Sequence, residues 1–423
     1  MPNLRHTSDH AAALKECEDL LQRIAKGKMP SVDPEAIDPA AIGAPTEWHA
    51  MIRYLRTAPF VGFKGCVGAG IGLREIKGEE TDEQCIVVLV HKKLPTSKLT
   101  RSQTIPQEVK HDGAQIRIDV QEAGFDPIPE FMASPATGNY PRATGSCSGS
   151  ALSENGNPNP CAGGTLTGLF DGRAVTAAHV ALGFGFAEFL GSLPASLLWL
   201  FDSPDGNEVL ASANVQRGQG LHRLFEVDTN WPILVPMPTP LIGAGVMGFL
   251  FVDGAAGDAN PIPIQPFPVL QFPLPRQPFS FARPAPPLAA DRARRFGGRI
   301  RSGRIAIPGE GCFKDGQTSG LTNGRVWMPF FQLYIPLPLG LVNSFVFFDL
   351  VLCRLVIGPG DSGSAVLADD LHYLAQVSLG LPFPAASTPV AGDFSCPVRG
   401  SDLMRITIGT PHYLHELLLN VNF

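Results

Sequence analysis

Charge is scarce in this chain: Asp, Glu, Lys and Arg make up 17% of its 423 residues. The 33 basic and 39 acidic side chains leave a net charge of −6, and the pI is near 5.9. That balance excludes nucleic acid as the main partner of the whole chain. Cysteine is sparse and scattered, at positions 17, 66, 85, 147, 161, 312, 353 and 396. No CxxC and no Cys/His spacing accompanies them, so no metal or other cofactor is expected. The opening "MPNLRHTSDHAAALKECEDLL" carries charge where a secretory leader would need an apolar run. No signal peptide is therefore expected, and the cysteines are predicted to be reduced, buried and free of disulfides in a cytoplasmic protein. Uninterrupted hydrophobic helices are lacking too. Two stretches of about twenty uncharged residues reach spanning length, but prolines that would break a helix interrupt each one.

What the chain has in excess is apolar and turn-forming material. Hydrophobic residues reach 44%, with 45 Gly, 40 Pro and 26 Phe, which is ample for a large core. Pro and Phe concentrate in "PILVPMPTPLIGAGVMGFLF" (232–251), "PIPIQPFPVLQFPLPRQPFSF" (261–281) and "MPFFQLYIPLPLGLVNSFVFF" (328–348). Extended apolar loops are expected there, lying against the core, a second subunit or partner protein, or a lipid surface. Arginines 283, 292, 294, 295, 299, 301 and 304 crowd one short stretch. A single aromatic, Phe296, falls among them and no folded reader accompanies the run, so a solvated or ion-paired surface is expected there, not a nucleic-acid site.

Length alone predicts two or three domains. Residues 1–58 read as a helical segment, with an amphipathic helix over 8–27 and a second helix around "TEWHAMIRYLR". Residues 59–128 read as a small α/β domain. In it "CVGAGIGLREI" and "CIVVLVHKKL" flank the acidic loop "KGEETDEQ", and "AQIRIDVQEAG" supplies a third strand. Residues 129–144 are a linker by composition. From 145 to 423 the periodicity is that of short strands and turns, which predicts a barrel or sandwich carrying an insertion at about 232–290. "TPHYLHELLL" closes the chain as a helix, with Thr410 as its cap and Pro411 at its first position.

One loop carries chemistry. "VIGPGDSGSAVLA" (356–368) sets Gly-Pro-Gly-Asp-Ser-Gly-Ser between two strand-forming runs. Such a loop can be a plain turn. It can also wrap the backbone around Ser362 so that the amides of Gly360 and Ser362 converge on one point as an oxyanion hole. Nucleophilic serine chemistry needs an imidazole to take the hydroxyl proton and a carboxylate to orient the imidazole. His179 is the candidate base: it ends the strand "RAVTAAHV", where small neighbours leave room beside the ring. Asp228 in "RLFEVDTNWPIL" is the candidate carboxylate, and Asp202 in "WLFDSPDGN" is the second choice. Gly-x-Ser-x-Gly fails because position 364 is Ser, which removes the α/β-hydrolase alternative.

The order His179, Asp228, Ser362, with "TAAHV" and "GDSGSAV" in one β-rich region, resembles the trypsin-like, chymotrypsin-fold serine peptidases. The resemblance implies a double β-barrel, a peptide-bond hydrolase without cofactor, and a protein substrate. "QVSLG" (376–380) is similar to the edge that pairs with substrate backbone, so Ser378 and Gly380 carry over as binding positions. Val356 falls where the base of the P1 pocket would lie, and an apolar residue there implies an uncharged P1 side chain. "FKDGQTSGLTNGRV" is similar to a hairpin of intracellular members, and 60–127 resembles the N-terminal domain of plant narrow-leaf-type proteases and their bacterial relatives. No Ile-Val-Gly-Gly-like start follows a basic cleavage site, so Asp361 is expected to meet an arginine, not a liberated amine. The rival reading is a non-catalytic scaffold that keeps the fold and uses its apolar loops for assembly; the two readings combine in an enzyme whose apolar insertion covers the cleft and keeps it latent until a partner displaces it.

Overall fold

The computed structural model describes, with short internal gaps, residues 32–124, 130–131, 148–181, 208–211, 222–228, 234–237, 245–258, 300–381 and 406–421, together with four positions before residue 32. Those four (Lys15, Asp19, Gln22 and Arg23) are helical; the rest of the expected 8–27 helix lies outside the described residues. The fold is mainly β. A 3-10 turn at Thr46–Trp48 leads into α1 (His49–Thr57), which buries Trp48, Met51, Ile52 and Leu55 at helical spacing. Strands β1 (Cys66–Ile76) and β2 (Glu79–Val90) follow as an antiparallel hairpin. Its turn is tighter than expected. Lys77 and Gly78 both take positive φ (55° and 87°), so two residues suffice to reverse the chain. The acidic stretch expected as a loop is instead the start of β2, where Glu83 and Glu80 pair with Arg74 and Arg354. Strands β3 (Glu108–His111) and β4 (Ala114–Glu122) complete this part, β4 running parallel to β2. The two-residue strand β5 (Glu130–Phe131) lies within the expected linker.

Six strands form a first unit: β6 (Ser148–Leu152), β7 (Pro158–Phe170), β8 (Arg173–Thr176), β9 (Glu208–Ala211), β10 (His222–Glu226) and β13 (Ala255–Asp258). They are ordered β10-β9-β6-β7-β8-β13. The end strands β10 and β13 also lie against each other, which curls the row toward closure. Between them in sequence, β11 (Leu234–Met237) and β12 (Val246–Phe251) leave this unit and join the second.

The second unit is a closed barrel. Strands β15 (Gly311–Gly316), β16 (Gly320–Leu339), β17 (Val342–Arg354), β20 (Ile406–Pro411), β19 (His372–Leu381) and β18 (Ala365–Ala368) pair in that cyclic order, β18 returning to β15. Every pairing in the ring is antiparallel, which leaves no open edge within it. The short β14 (Arg301–Gly303) runs beside β19. The double-barrel architecture expected from the sequence is thus present.

Two expectations change. The apolar 328–348 stretch is not a loop but the body of β16 and β17, with Met328, Phe331, Leu333, Phe345 and Phe348 buried. Likewise 232–251 contributes β11 and β12, whose residues 246–251 are all buried, so the insertion drawn from 232 contains core strands. The third stretch, 261–281, lies outside the described residues. Of the arginine run, Arg301 and Arg304 are described. Arg304 pairs with Glu310 and Asp370, in line with an ion-paired surface.

The helical segment and the small sheet do not stand apart. β1 is hydrogen-bonded to β16, and one core joins Trp48, Ile52, Ile71 and Val88 to Phe330, Val346, Tyr413 and Leu418. Arg56 donates to the Asp349 carboxylate, a pair almost wholly out of solvent. Two further helices are described, the one-turn α2 (Ala178–Ala181) in the first unit and the C-terminal α3 (His412–Leu419). Helix α3 starts one residue later than expected: Pro411 is its N-cap and still belongs to β20, and Thr410 bonds Ser378 and Phe251 instead of capping it. Among the described residues no helix is long and apolar enough to cross a membrane.

Candidate active site

The nucleophile loop is shaped by two glycines. Gly360 and Gly363 take φ of +100° and +90°, values that L side chains rarely adopt. A Cβ on Gly363 would also collide with the carbonyl oxygen of Thr165. Neighbouring strands pin the loop. The Gly363 amide donates to the Val377 carbonyl (2.8 Å), the Thr165 amide to the Ser362 carbonyl (2.7 Å), and Thr165 Oγ1 to the Gly360 carbonyl (2.7 Å). Ser362 is buried, and its Oγ donates to the Ser378 carbonyl at 3.3 Å. The backbone hydrogen bonds described within the loop use the amides of Asp361 and Ser364, not those of Gly360 or Ser362.

Asp361 meets a lysine, not the expected arginine. Lys314 Nζ lies 2.7 Å from Asp361 Oδ2, and neither side chain has any exposure. The same Oδ2 accepts the Gly358 amide at 2.8 Å. Sequence reading passed over Lys314 in "FKDG" because nothing local distinguishes it from a surface lysine on a hairpin. Breaking one side of a fully buried pair leaves an uncompensated charge. Lys314→Met is therefore expected to lower stability by about 3–5 kcal/mol in urea unfolding. Adding Asp361→Asn, which keeps an acceptor for Gly358, should recover part of that loss; an unchanged midpoint in Lys314→Met would contradict this account.

His179 departs slightly from expectation: β8 stops at Thr176, and the histidine sits on the single turn α2. The ring is wholly buried. Its carboxylate partner is Asp253, with Nδ1 lying 2.7 Å from Oδ2 and 2.9 Å from Oδ1. The His179 amide also donates to Oδ1 at 3.0 Å. Asp253 is itself fully buried. It follows β12, which belongs to the second unit, and precedes β13, which pairs with β8 in the first. The chain thus crosses between units at this residue. Gln376 Nε2 on β19 donates to the Asp253 carbonyl (2.7 Å), while Thr167 Oγ1 contacts both Gln376 Oε1 and the Gly363 carbonyl. Gly164 lies between α2 and the nucleophile loop, because a Cβ there would meet both Val180 and the Ser362 carbonyl.

The carboxylate expected at His179 is elsewhere. Asp228 receives Arg173 in a two-point ion pair (2.6 and 2.9 Å) and its side chain is 46% exposed. The β8–β13 ladder brings Arg173 opposite Asp258 at the rim of the first unit, and the Asp228 amide is held there by Ala256. That geometry makes Asp228 a surface partner. Asp202 lies outside the described residues. The signal that could have found Asp253 is "FLFVDG", a carboxylate directly after an unbroken apolar strand, where only a hydrogen-bonded Asp is tolerable.

The remaining expected positions lie in the second barrel. Ser378 is buried, within reach of Thr410 Oγ1. Gly380 pairs with Thr407 on one side and Glu130 on the other. Val356 is half-buried, and its carbonyl accepts from Thr322 Oγ1 at 2.9 Å. Among the described residues no group of His, Cys, Asp and Glu is arranged to hold a metal.

No protein-family model matches the sequence, and no curated protein matches it. Among solved structures, the chain is similar to the chymotrypsin of Cellulomonas bogoriensis, at 14% identity and a TM-score of 0.29, over 66% of this chain and 97% of that one. It is also similar to protease A of Thermobifida fusca (10% identity, TM-score 0.27, 66% and 96% covered). A third is the MamO protease domain of Magnetospirillum magneticum (12% identity, TM-score 0.27, 65% and 95% covered).

Proposed function

We propose that this chain is a trypsin-like serine endopeptidase acting through His179, Asp253 and Ser362. The observation that carries the reading is the buried His179–Asp253 pair, placed where the chain crosses between barrels and tied by Gln376 and Thr167 to the Gly-Asp-Ser-Gly-Ser loop. A carboxylate with no solvent is costly unless its acceptor sites are filled. The Nδ1–H and amide of His179 fill them, which fixes the ring tautomer and leaves Nε2 as the base.

In the proposed reaction His179 Nε2 takes the Ser362 hydroxyl proton as Oγ attacks the substrate carbonyl carbon. The oxyanion is held by the amides of Gly360 and Ser362. His179 then protonates the leaving amine, and water, deprotonated by the same nitrogen, releases the acid from the acyl-enzyme. Asp253 orients the ring and stabilises the imidazolium. The substrate is an extended protein segment, with an uncharged P1 side chain set by Val356. The four described cysteines, Cys66, Cys85, Cys312 and Cys353, are free thiols, which supports work in a reducing compartment.

A fluorophosphonate probe tests this reading, because it reacts only with an activated serine hydroxyl. Wild-type protein is expected to label at one site, and both Ser362→Ala and His179→Ala are expected to abolish labelling. Labelling that survives Ser362→Ala would overturn the assignment.

A further inference from the structure

The edge of β19 has three successive occupants on one side. Ala365 and Val366 of β18 pair with Gln376 and Ala375. The nucleophile loop comes next, through Gly363 to the Val377 carbonyl and Ser362 Oγ to the Ser378 carbonyl. Beyond it, Phe131 and Glu130 of β5 pair antiparallel with Leu379 and Gly380. The opposite side of the same residues is taken by β20, which pairs with them from Ala375 to Leu381. β5 is therefore an added strand on the side that faces the nucleophile. Its polarity matters as well. Because the pairing is antiparallel, the step from Glu130 to Phe131 runs down the β19 numbering, toward Ser378 and Ser362.

An extended peptide added to a sheet edge is held by backbone hydrogen bonds, whatever its sequence. This one is supplied by the chain itself. It belongs to "DPIPEFMAS" (126–134). Two residues that, among the described residues, pair with β19 alone form a contact of low local stability, one that can open without unfolding the rest. Resting on the peptidase reading above, we infer that Glu130–Phe131 is an internal occupant of the substrate-strand edge, so that the protein holds itself in a latent state. The ligand class of this edge is then an extended peptide, and a substrate must first displace β5. A tethered strand competes at high effective concentration, so a free substrate works against it until the segment is pulled away.

The test replaces Glu130 and Phe131 together with Pro, which removes both backbone donors of β5, and separately with Gly, which weakens the strand without adding rings. Two readouts are taken. Hydrogen exchange over residues 378–381 reports occupancy and needs no activity; it is expected to speed up at least tenfold in both variants. The fluorophosphonate labelling rate reports access to Ser362. It is expected to rise about tenfold, and a synthetic 126–134 peptide added in trans should lower it again. Unchanged exchange would overturn the occupancy. Faster exchange with an unchanged, Ser362-dependent labelling rate would overturn the inhibition and leave the peptidase reading standing. Labelling absent from wild type and both variants, all folded, would overturn the peptidase reading and this inference with it.

Discussion

Ser362→Ala and His179→Ala are each expected to lower turnover of a chromogenic peptide by about 10⁶, and the double variant by no more than either alone. The reason is that hydroxyl and imidazole act as one device. Without the base the hydroxyl keeps its proton, and without the hydroxyl the base has nothing to activate. What survives is the part of catalysis that needs neither, namely the oxyanion-hole amides and substrate positioning. Both positions are fully buried. Thermal unfolding alongside the assay separates lost chemistry from lost fold, and Ser362→Ala removes only one oxygen from a loop pinned mainly through its backbone. Additive losses in the double variant would mean that the two residues do not share a step.

The second large effect separates two aspartates. Asp253→Asn is expected to lower turnover by about 10⁴. Its amide would present a donor where the buried Nδ1–H of His179 needs an acceptor, favouring the wrong ring tautomer. Asp228→Asn should change turnover little and stability by no more than about 1 kcal/mol, because it breaks an exposed ion pair with Arg173. If Asp228→Asn proved the more damaging, the assignment of roles would be reversed.

The contrast shows which parts of the site a sequence makes legible. Ser362 and His179 could be read because their surroundings are local. Glycines that permit positive φ flank the serine, and small side chains precede the histidine. The carboxylate could not be read that way. Asp228 and Asp253 both follow apolar strands, and the choice between them depends on which strand crosses from one barrel to the other, a matter of long-range pairing. Lys314 was missed for the same reason, since its burial is decided by Asp361, forty-seven residues away. In the scaffold, alternation, helical spacing and turn residues located β1, β4 and α1, while the β15–β16 hairpin was expected only from the family resemblance. The turn at Lys77–Gly78 and the long β16–β17 hairpin went unseen because a charged run and a proline-rich run both look like loops. Each became strand under tertiary pairing, with Glu83 and Glu80 held by arginines and the phenylalanines buried.

The pairing of β1 with β16 joins Gly68 to Leu333 and Ala69 to Gln332. During synthesis the first of these strands leaves the ribosome with some 260 residues still to come before its partner exists. At ordinary elongation rates of about 5–20 residues per second that is an interval of tens of seconds. Throughout it, β1 and β2 can form their own hairpin, but Val67, Ala69 and Ile71 lack the β16 partner that later helps cover them. β4, β3 and helix α1 can join that hairpin once residue 122 is made, but the face that Phe330 and Tyr334 of β16 later cover stays open until the second barrel is synthesised. Such a topology combines high contact order with slow closure.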